Sequence, residues 1–172
     1  EYLLHRYDWN LQTFEMIDWI AHRDALREIQ NLPRITVMKY IHGWLATSKR
    51  QWKEGRVSTP QCLLCDTNED RQHLFCCQHE GIRTQRTVEI IKLQDELLKI
   101  TDPDVVHAMM AGIGSVTGRY TMDLYQQEFA RTKELATAVK EQTTIGWTHF
   151  LYGRITKSWQ SIGPNERYRD MP

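Results

Sequence analysis

All four cysteines of this chain fall within residues 62–77, in a stretch, "CLLCDTNEDRQHLFCCQH", that also holds two histidines. Gathering every thiol into one short polar loop limits the possible folds more than any other feature of the sequence. Cys62 and Cys65 have two residues between them, close enough for both sulfurs to grip one ion from a tight turn. Seven residues then separate Cys65 from His73, and three separate His73 from Cys77. The pattern C-x2-C-x7-H-x3-C offers three thiolates and one imidazole, the donor set of a closed tetrahedral zinc site. Soft sulfur with imidazole favours Zn2+ over magnesium or calcium, which take oxygen ligands. The intervening "DTNED" is polar and turn-forming, as a loop folding back over a metal should be. Leu74 and Phe75 are expected to give this knuckle an apolar underside.

Cys76, Cys77 and His79 compete for the fourth position. From a helical turn starting at His73, Cys77 at i+4 returns to the same face, and Cys76 at i+3 does so nearly as well. Cys77 is favoured and Cys76 is the runner-up. Two disulfides are the competing use of the four thiols, which an intracellular setting disfavours. With four good ligands the site should be closed, so the metal is expected to be structural. Glu69 and Asp70 are the acids that a catalytic metal would need nearby, but they read better as loop carboxylates capping the turn at His73.

The remainder reads as helical. "TFEMIDWIAHRDALREIQNLP" puts Phe14, Ile17, Trp19, Ile20, Ala25, Leu26 and Ile29 on one helical face, with Thr13 as cap and Pro33 as stop. "RITVMKYIHGWLATSKRQWKEG" continues the periodicity through Ile35, Met38, Ile41 and Leu45, with Gly55 as its end. After the knuckle, Val88, Ile91, Leu97 and Leu98 mark another amphipathic helix. Asp102 and Pro103 form a favourable helix start. "YTMDLYQQEFARTKELATAVKEQ" and "TIGWTHFLYGRITKSWQSIG" complete the set, and "PNERYRDMP" is expected to be loose. Gly43 and Gly146 each precede a tryptophan inside a helical pattern, where a glycine costs about 1 kcal/mol relative to alanine. Close helix–helix contact, with the indoles filling adjacent gaps, is the favoured reading, and an aromatic platform for stacking a base is the alternative. The fold class expected is all-α: a helical bundle with an inserted small zinc knuckle. Residues 1–60 would form a helical pair with a basic second helix, 61–80 the knuckle, 81–163 further helices of the same domain, and 164–172 a flexible tail.

Hydrophobic residues make up 41% and charged residues 26% of the 172 residues, a balance that excludes wholesale disorder. No apolar run approaches the roughly 18 residues that cross a membrane. The N-terminus lacks the pattern of a secretory signal. Because the chain opens on Glu1 rather than methionine, it is expected to be a piece of something longer. Charges balance at 22 against 22, so any attraction for nucleic acid must be local. It is local: residues 34–56 hold six cations, Arg34, Lys39, Lys49, Arg50, Lys53 and Arg56, against the single carboxylate Glu54, a net +5. Lys49 and Lys53 share a helical face just before the knuckle, and His42 adds a donor. Such a cluster can hold several phosphates, each contact releasing counterions. It can equally be a solvated face paired with Asp66, Glu69 and Asp70. Trp52, in this basic setting, is the indole best placed to be exposed and to stack on a base.

"KYIHGWLATSKRQW", then "CLLC", an acidic "NED" and "HLFCC", resembles the zinc-binding region downstream of the polymerase in reverse transcriptases of non-LTR-type retroelements. The likeness covers residues 35–80, and Cys62, Cys65 and His73 match the family's ligands one by one. Many members carry the last cysteine one residue further on, where this chain has Gln78. "QTTIGWTHFLYGRITKSW" also resembles mobile-element-derived open reading frames. The resemblance implies a non-catalytic accessory role within a retroelement polyprotein, gripping RNA or single-stranded DNA in an intracellular, nuclear or cytoplasmic setting. The chain itself has no paired-aspartate polymerase motif, no P-loop and no Ser/His/Asp order. His5, His22, His107 and His149 stand singly and read as structural residues. The alternative function is a protein–protein scaffold in which zinc pins the helices and the tryptophans serve an interface.

Overall fold

The structure, a computed structural model, describes residues 1–118 and 132–162, apart from the side chains of residues 31 and 32. Among these residues the fold is all-α, with no strand and only two isolated antiparallel bridges, Ile17 to Thr156 and Gln61 to Asn68. The chain groups into two compact units, residues 29–95 and residues 1–28 with 96–172. The segment boundaries expected after residues 60 and 80 both fall inside the unit of residues 29–95. The N-terminal helices belong with the C-terminal ones, and the knuckle belongs with the basic helices. Residues 119–131 and 163–172, which include much of one expected helix and the expected tail, lie outside the described residues.

The first unit begins with α1 (Tyr2–Tyr7), α2 (Leu11–Met16) and α3 (Trp19–Glu28). The single helix expected from Thr13 is divided, because Asn10 rather than Thr13 is the cap. The Asn10 side chain accepts from the Thr13 N–H at 2.8 Å, and α2 ends where Ile17 becomes extended to bridge Thr156. Asp18 then restarts the helix by accepting from the Ala21 N–H at 2.8 Å. The core is built on α8 (Pro103–Val116), α9 (Lys133–Ile145), α10 (Trp147–Phe150) and a 3-10 turn, Lys157–Ser161. At the head of α8, Asp102 caps the Asp104 N–H at 2.8 Å with Pro103 in the first turn, as the sequence indicates.

Small residues on α8 allow close approach. A methyl group on Gly112 would lie 2.0 Å from the Trp147 ring. The tight glycine–indole contact therefore exists, but at Gly112 and not at Gly43 or Gly146. Those two have φ of 70° and 95°, and they end the helix Asn31–His42 and α9 respectively. Between α9 and the 3-10 turn, Gln142 is fully buried, donating to the Arg154 carbonyl at 3.3 Å and accepting from the Trp159 indole at 3.2 Å. Arg154 itself is only 3% exposed. Its guanidinium donates to His149 Nδ1 at 3.1 Å and lies 5.0 Å from the Tyr7 ring centre. Because arginine can only donate, Nδ1 of His149 is the acceptor in this bond.

The second unit contains α4 (Asn31–His42), α5 (Ser48–Lys53), α6 (His73–Cys76) and most of α7 (Glu80–Leu98). The helix expected to run from residue 34 to Gly55 is two helices. Pro33 sits in the first turn of α4 rather than ending its predecessor, a place where the missing N–H costs little. At the far end Trp44 N–H reaches the Lys39 carbonyl and Gly43 N–H the Tyr40 carbonyl, closing α4 with a left-handed glycine. Thr47 caps α5, and Gly55, at φ 70°, follows its last turn as expected. None of the 19 residues of α7 is buried. The stripe expected there does not form, because Ile90, Leu93 and Leu97 point away from Val88, Ile91 and Leu98 around the helix.

Candidate metal centre and basic cleft

The knuckle is built from two turns that bring four ligand atoms together. In the first, Cys62 N–H bonds to the Thr67 carbonyl at 2.7 Å and Asp66 N–H to the Cys62 carbonyl at 3.1 Å. Asp66 takes a left-handed φ of 56°, a conformation aspartate tolerates better than most residues. The Leu64 N–H points at Cys62 Sγ, 3.5 Å away. Hydrogen bonds centred on the Thr67 backbone hold the Cys65 thiol down at about 7, so much of it is thiolate at neutral pH.

The second turn starts at Asp70, whose Oδ1 accepts from the backbone N–H groups of Gln72 and His73 at 3.1 and 3.0 Å. Cys77 N–H closes the turn on the His73 carbonyl at 2.8 Å. Phe75 packs edge-on against Tyr40 of α4 with ring centres 5.3 Å apart, while Leu74 stays in solvent. The apolar underside is therefore Phe75 alone.

The ligand atoms of Cys62, Cys65, His73 and Cys77 all lie within 4.8 Å of one another. Cys65 Sγ is 3.4 Å from His73 Nε2 and 3.7 Å from Cys77 Sγ. A tetrahedron with Zn–S bonds of about 2.3 Å and a Zn–N bond of about 2.0 Å has edges of about 3.8 Å and about 3.5 Å. The sulfurs are far beyond the roughly 2.05 Å of a disulfide, and none of the four cysteines is bridged. The four residues can therefore hold a metal ion. Cys76 and His79 fall outside the cluster, because α6 stops at Cys76 and the backbone turns extended at Cys77. Burial pushes the Cys76 and Cys77 thiols up, so a metal held by Cys77 would have to displace a tightly bound proton.

The neighbouring carboxylates are engaged structurally. Ser48 Oγ donates to Glu69 at 2.7 Å, and Lys49 N–H bonds to the Glu69 carbonyl at 3.1 Å. Lys49 Nζ meets Asp70 Oδ2 at 3.1 Å. Burial raises Asp70, but the bonds from His73 and Lys49 outweigh it and leave the carboxyl below its usual value. The segment carrying the ligands thus also anchors the start of α5.

Beside this anchor lies a cleft of about 400 Å³ whose lining includes His42, Trp44, Lys49, Arg50, Lys53 and Arg71. Of the seven residues expected to contact nucleic acid, Lys49, Arg50 and Lys53 converge here, whereas Arg34, Lys39, Trp52 and Arg56 do not line the cleft. Arg50 bonds Glu54 at 2.8 Å and the Gly43 carbonyl at 3.3 Å, and Arg56 also meets Glu54. The hydrogen bond from Arg50 holds the Glu54 carboxyl below its usual range. Trp44, 62% exposed, is more open than Trp52 at 48%. Arg71 escaped the sequence reading, and Trp44 entered it only as the alternative to a packed indole. The signal was the glycine of "HGWL", which as a helix stop puts the following indole in a loop.

A scan of protein-family models, a search of curated proteins and a search of solved structures each returned no match to this chain.

Proposed function

We propose that the chain is a zinc-stabilised, non-catalytic accessory module that grips nucleic acid, as part of a retroelement-derived polyprotein. The observation that carries this reading is the coupling of the four-ligand cluster to a cation-lined cleft through Ser48–Glu69 and Lys49–Asp70. The donor chemistry supports zinc, which would tie the two turns together and hold the cleft's rim in place. The four cations Lys49, Arg50, Lys53 and Arg71 against Asp70 and Glu54 leave an excess of positive charge suited to phosphate. The resemblance over residues 35–80 supports the same role.

The test has two parts. Elemental analysis of the purified chain should give one zinc per chain, and a thiol count should rise on chelation. Fluorescence anisotropy with RNA and DNA probes should show binding that weakens with salt and is lost in Lys49→Ala/Arg50→Ala/Lys53→Ala. Undetectable binding at low salt would leave the scaffold reading, which draws support from Leu63 at the tip of the knuckle, 90% exposed.

A further inference from the structure

Resting on that reading, we infer that the cleft takes one unpaired nucleotide of a single strand, its base on the open face of Trp44 and its phosphates among Lys49, Arg50, Lys53 and Arg71. The argument begins with the backbone. Gly43 at φ 70° stops α4, and the Trp44 N–H turns back to the Lys39 carbonyl, so the indole leaves the helix at the mouth of the cleft. The His42 ring stacks on it with centres 5.1 Å apart and planes at 29°. One face of the indole is thereby backed, while the side chain as a whole remains largely exposed. A flat aromatic fixed from behind and open in front is a stacking platform, and every base offers it a π-face.

Charge selects what else the occupant must carry. Lys53 makes no ion pair among the described residues and reaches the cleft unopposed. Lys49 uses one of three ammonium donors on Asp70, and Arg50 keeps donors beyond those spent on Glu54 and Gly43. Leu45 and Thr47 also line the cleft, so its wall combines an indole and an aliphatic side chain with four cations. At about 400 Å³ the cleft is at the small end of ligand sites and matches a single nucleotide unit. A base within a duplex is stacked on both faces already, and offering one to Trp44 would require its extrusion. The cleft should therefore prefer single strands.

Anisotropy titrations of the full 172-residue chain test this, using oligo(U), oligo(dT) and a mixed duplex, each of about 12 nucleotides per strand. The expected result is tighter binding of the single strands. Trp44→Ala should weaken single-strand affinity about tenfold or more, Trp44→Phe should recover much of that loss, and duplex affinity should hold. Zinc content and far-UV circular dichroism of the variants, unchanged from the parent, exclude misfolding as the cause. Preference for oligo(U) would assign RNA, and preference for oligo(dT) would assign DNA; both support the inference. If Trp44→Ala leaves single-strand affinity unchanged while the triple cation variant abolishes it, this inference is overturned and the phosphate reading stands. If no probe binds the parent chain at low salt, both fall.

Discussion

Cys76 and Cys77 are adjacent, and only one of them is a ligand candidate. Spacing alone leaves them nearly equivalent, since both come back toward His73 within one helical turn. The decision rests on where α6 ends: the Cys77 N–H still bonds to the His73 carbonyl, but its own backbone has turned extended. Cys77→Ser should therefore remove a ligand and lower the zinc content measured by elemental analysis, with a large fall in the stability of the second unit. Cys76→Ser should retain one zinc per chain and shift the thermal midpoint little. Equal zinc loss in both variants would refute the assignment. Histidine supplies a second residue-scale expectation. His22 Nδ1 donates to the Gly153 carbonyl at 3.1 Å, and burial, opposed by that bond and reinforced by Arg154, lowers its pKa below the ordinary 6.5. The folded state thus binds this proton less readily than the unfolded chain. Stability from this group is fully present above the ordinary value and is lost as pH falls toward the lowered one. Denaturant unfolding of the first unit between pH 7 and pH 5 should show that decline, and His22→Gln should flatten it. NMR titration of the His22 ring should place its midpoint below the ordinary 6.5.

At the scale of elements, the stops explain most of what the sequence disguised. Apolar spacing carried the helix type correctly in both long N-terminal patterns, and Asp102–Pro103 and Gly55 marked boundaries where the structure has them. The grouping of Cys62, Cys65 and His73 into one cluster able to hold a metal was equally legible, because their separations suit a chelating turn. What the periodicity could not show was interruption. Ile17 and Asp18 keep the apolar rhythm while bonding to Thr156 and Ile155, residues more than a hundred positions away. Gly43 and Gly146 looked like packing glycines, but they are conformational ones, and the packing glycine was hidden in "AGIG". These two kinds of glycine should respond differently to alanine. Gly43→Ala meets strain at φ 70°, costing about 1 kcal/mol, and should loosen Trp44 more than it unfolds the unit. Gly112→Ala drives a methyl group into the Trp147 ring and should cost about 3 kcal/mol in denaturant titration. Adding Trp147→Leu should recover part of that loss, giving a coupling that independent sites would not show.

Across the whole molecule, stability comes from two different sources. In the first unit it is burial: α8 hides Val105, Val106, Ala108, Ala111 and Ile113, α9 hides Leu135, Ala138, Val139 and Ile145, and Trp147, Tyr152 and Trp159 fill the space they leave. Among the described residues of the second unit the buried apolar set is far thinner. Tyr40 and Ile41 are joined there mainly by Cys62 and Cys77 themselves. A segment with so little apolar surface to hide would gain most from a metal held by these four residues, since in small metal-bound folds the binding energy is folding energy. Every atom the ion would tie together lies in residues 29–95, and none belongs to the α8–α10 core. Chelation should therefore act unevenly. Hydrogen exchange read by mass spectrometry should show protection lost over residues 61–79 and, through Ser48–Glu69 and Lys49–Asp70, over α5. Peptides from α8 and α9 should keep their protection, and restoring zinc should restore the rest. Uniform loss of protection across both units would mean that the metal supports a single cooperative fold. Unchanged exchange over residues 61–79 would mean that the four ligands serve no structural purpose.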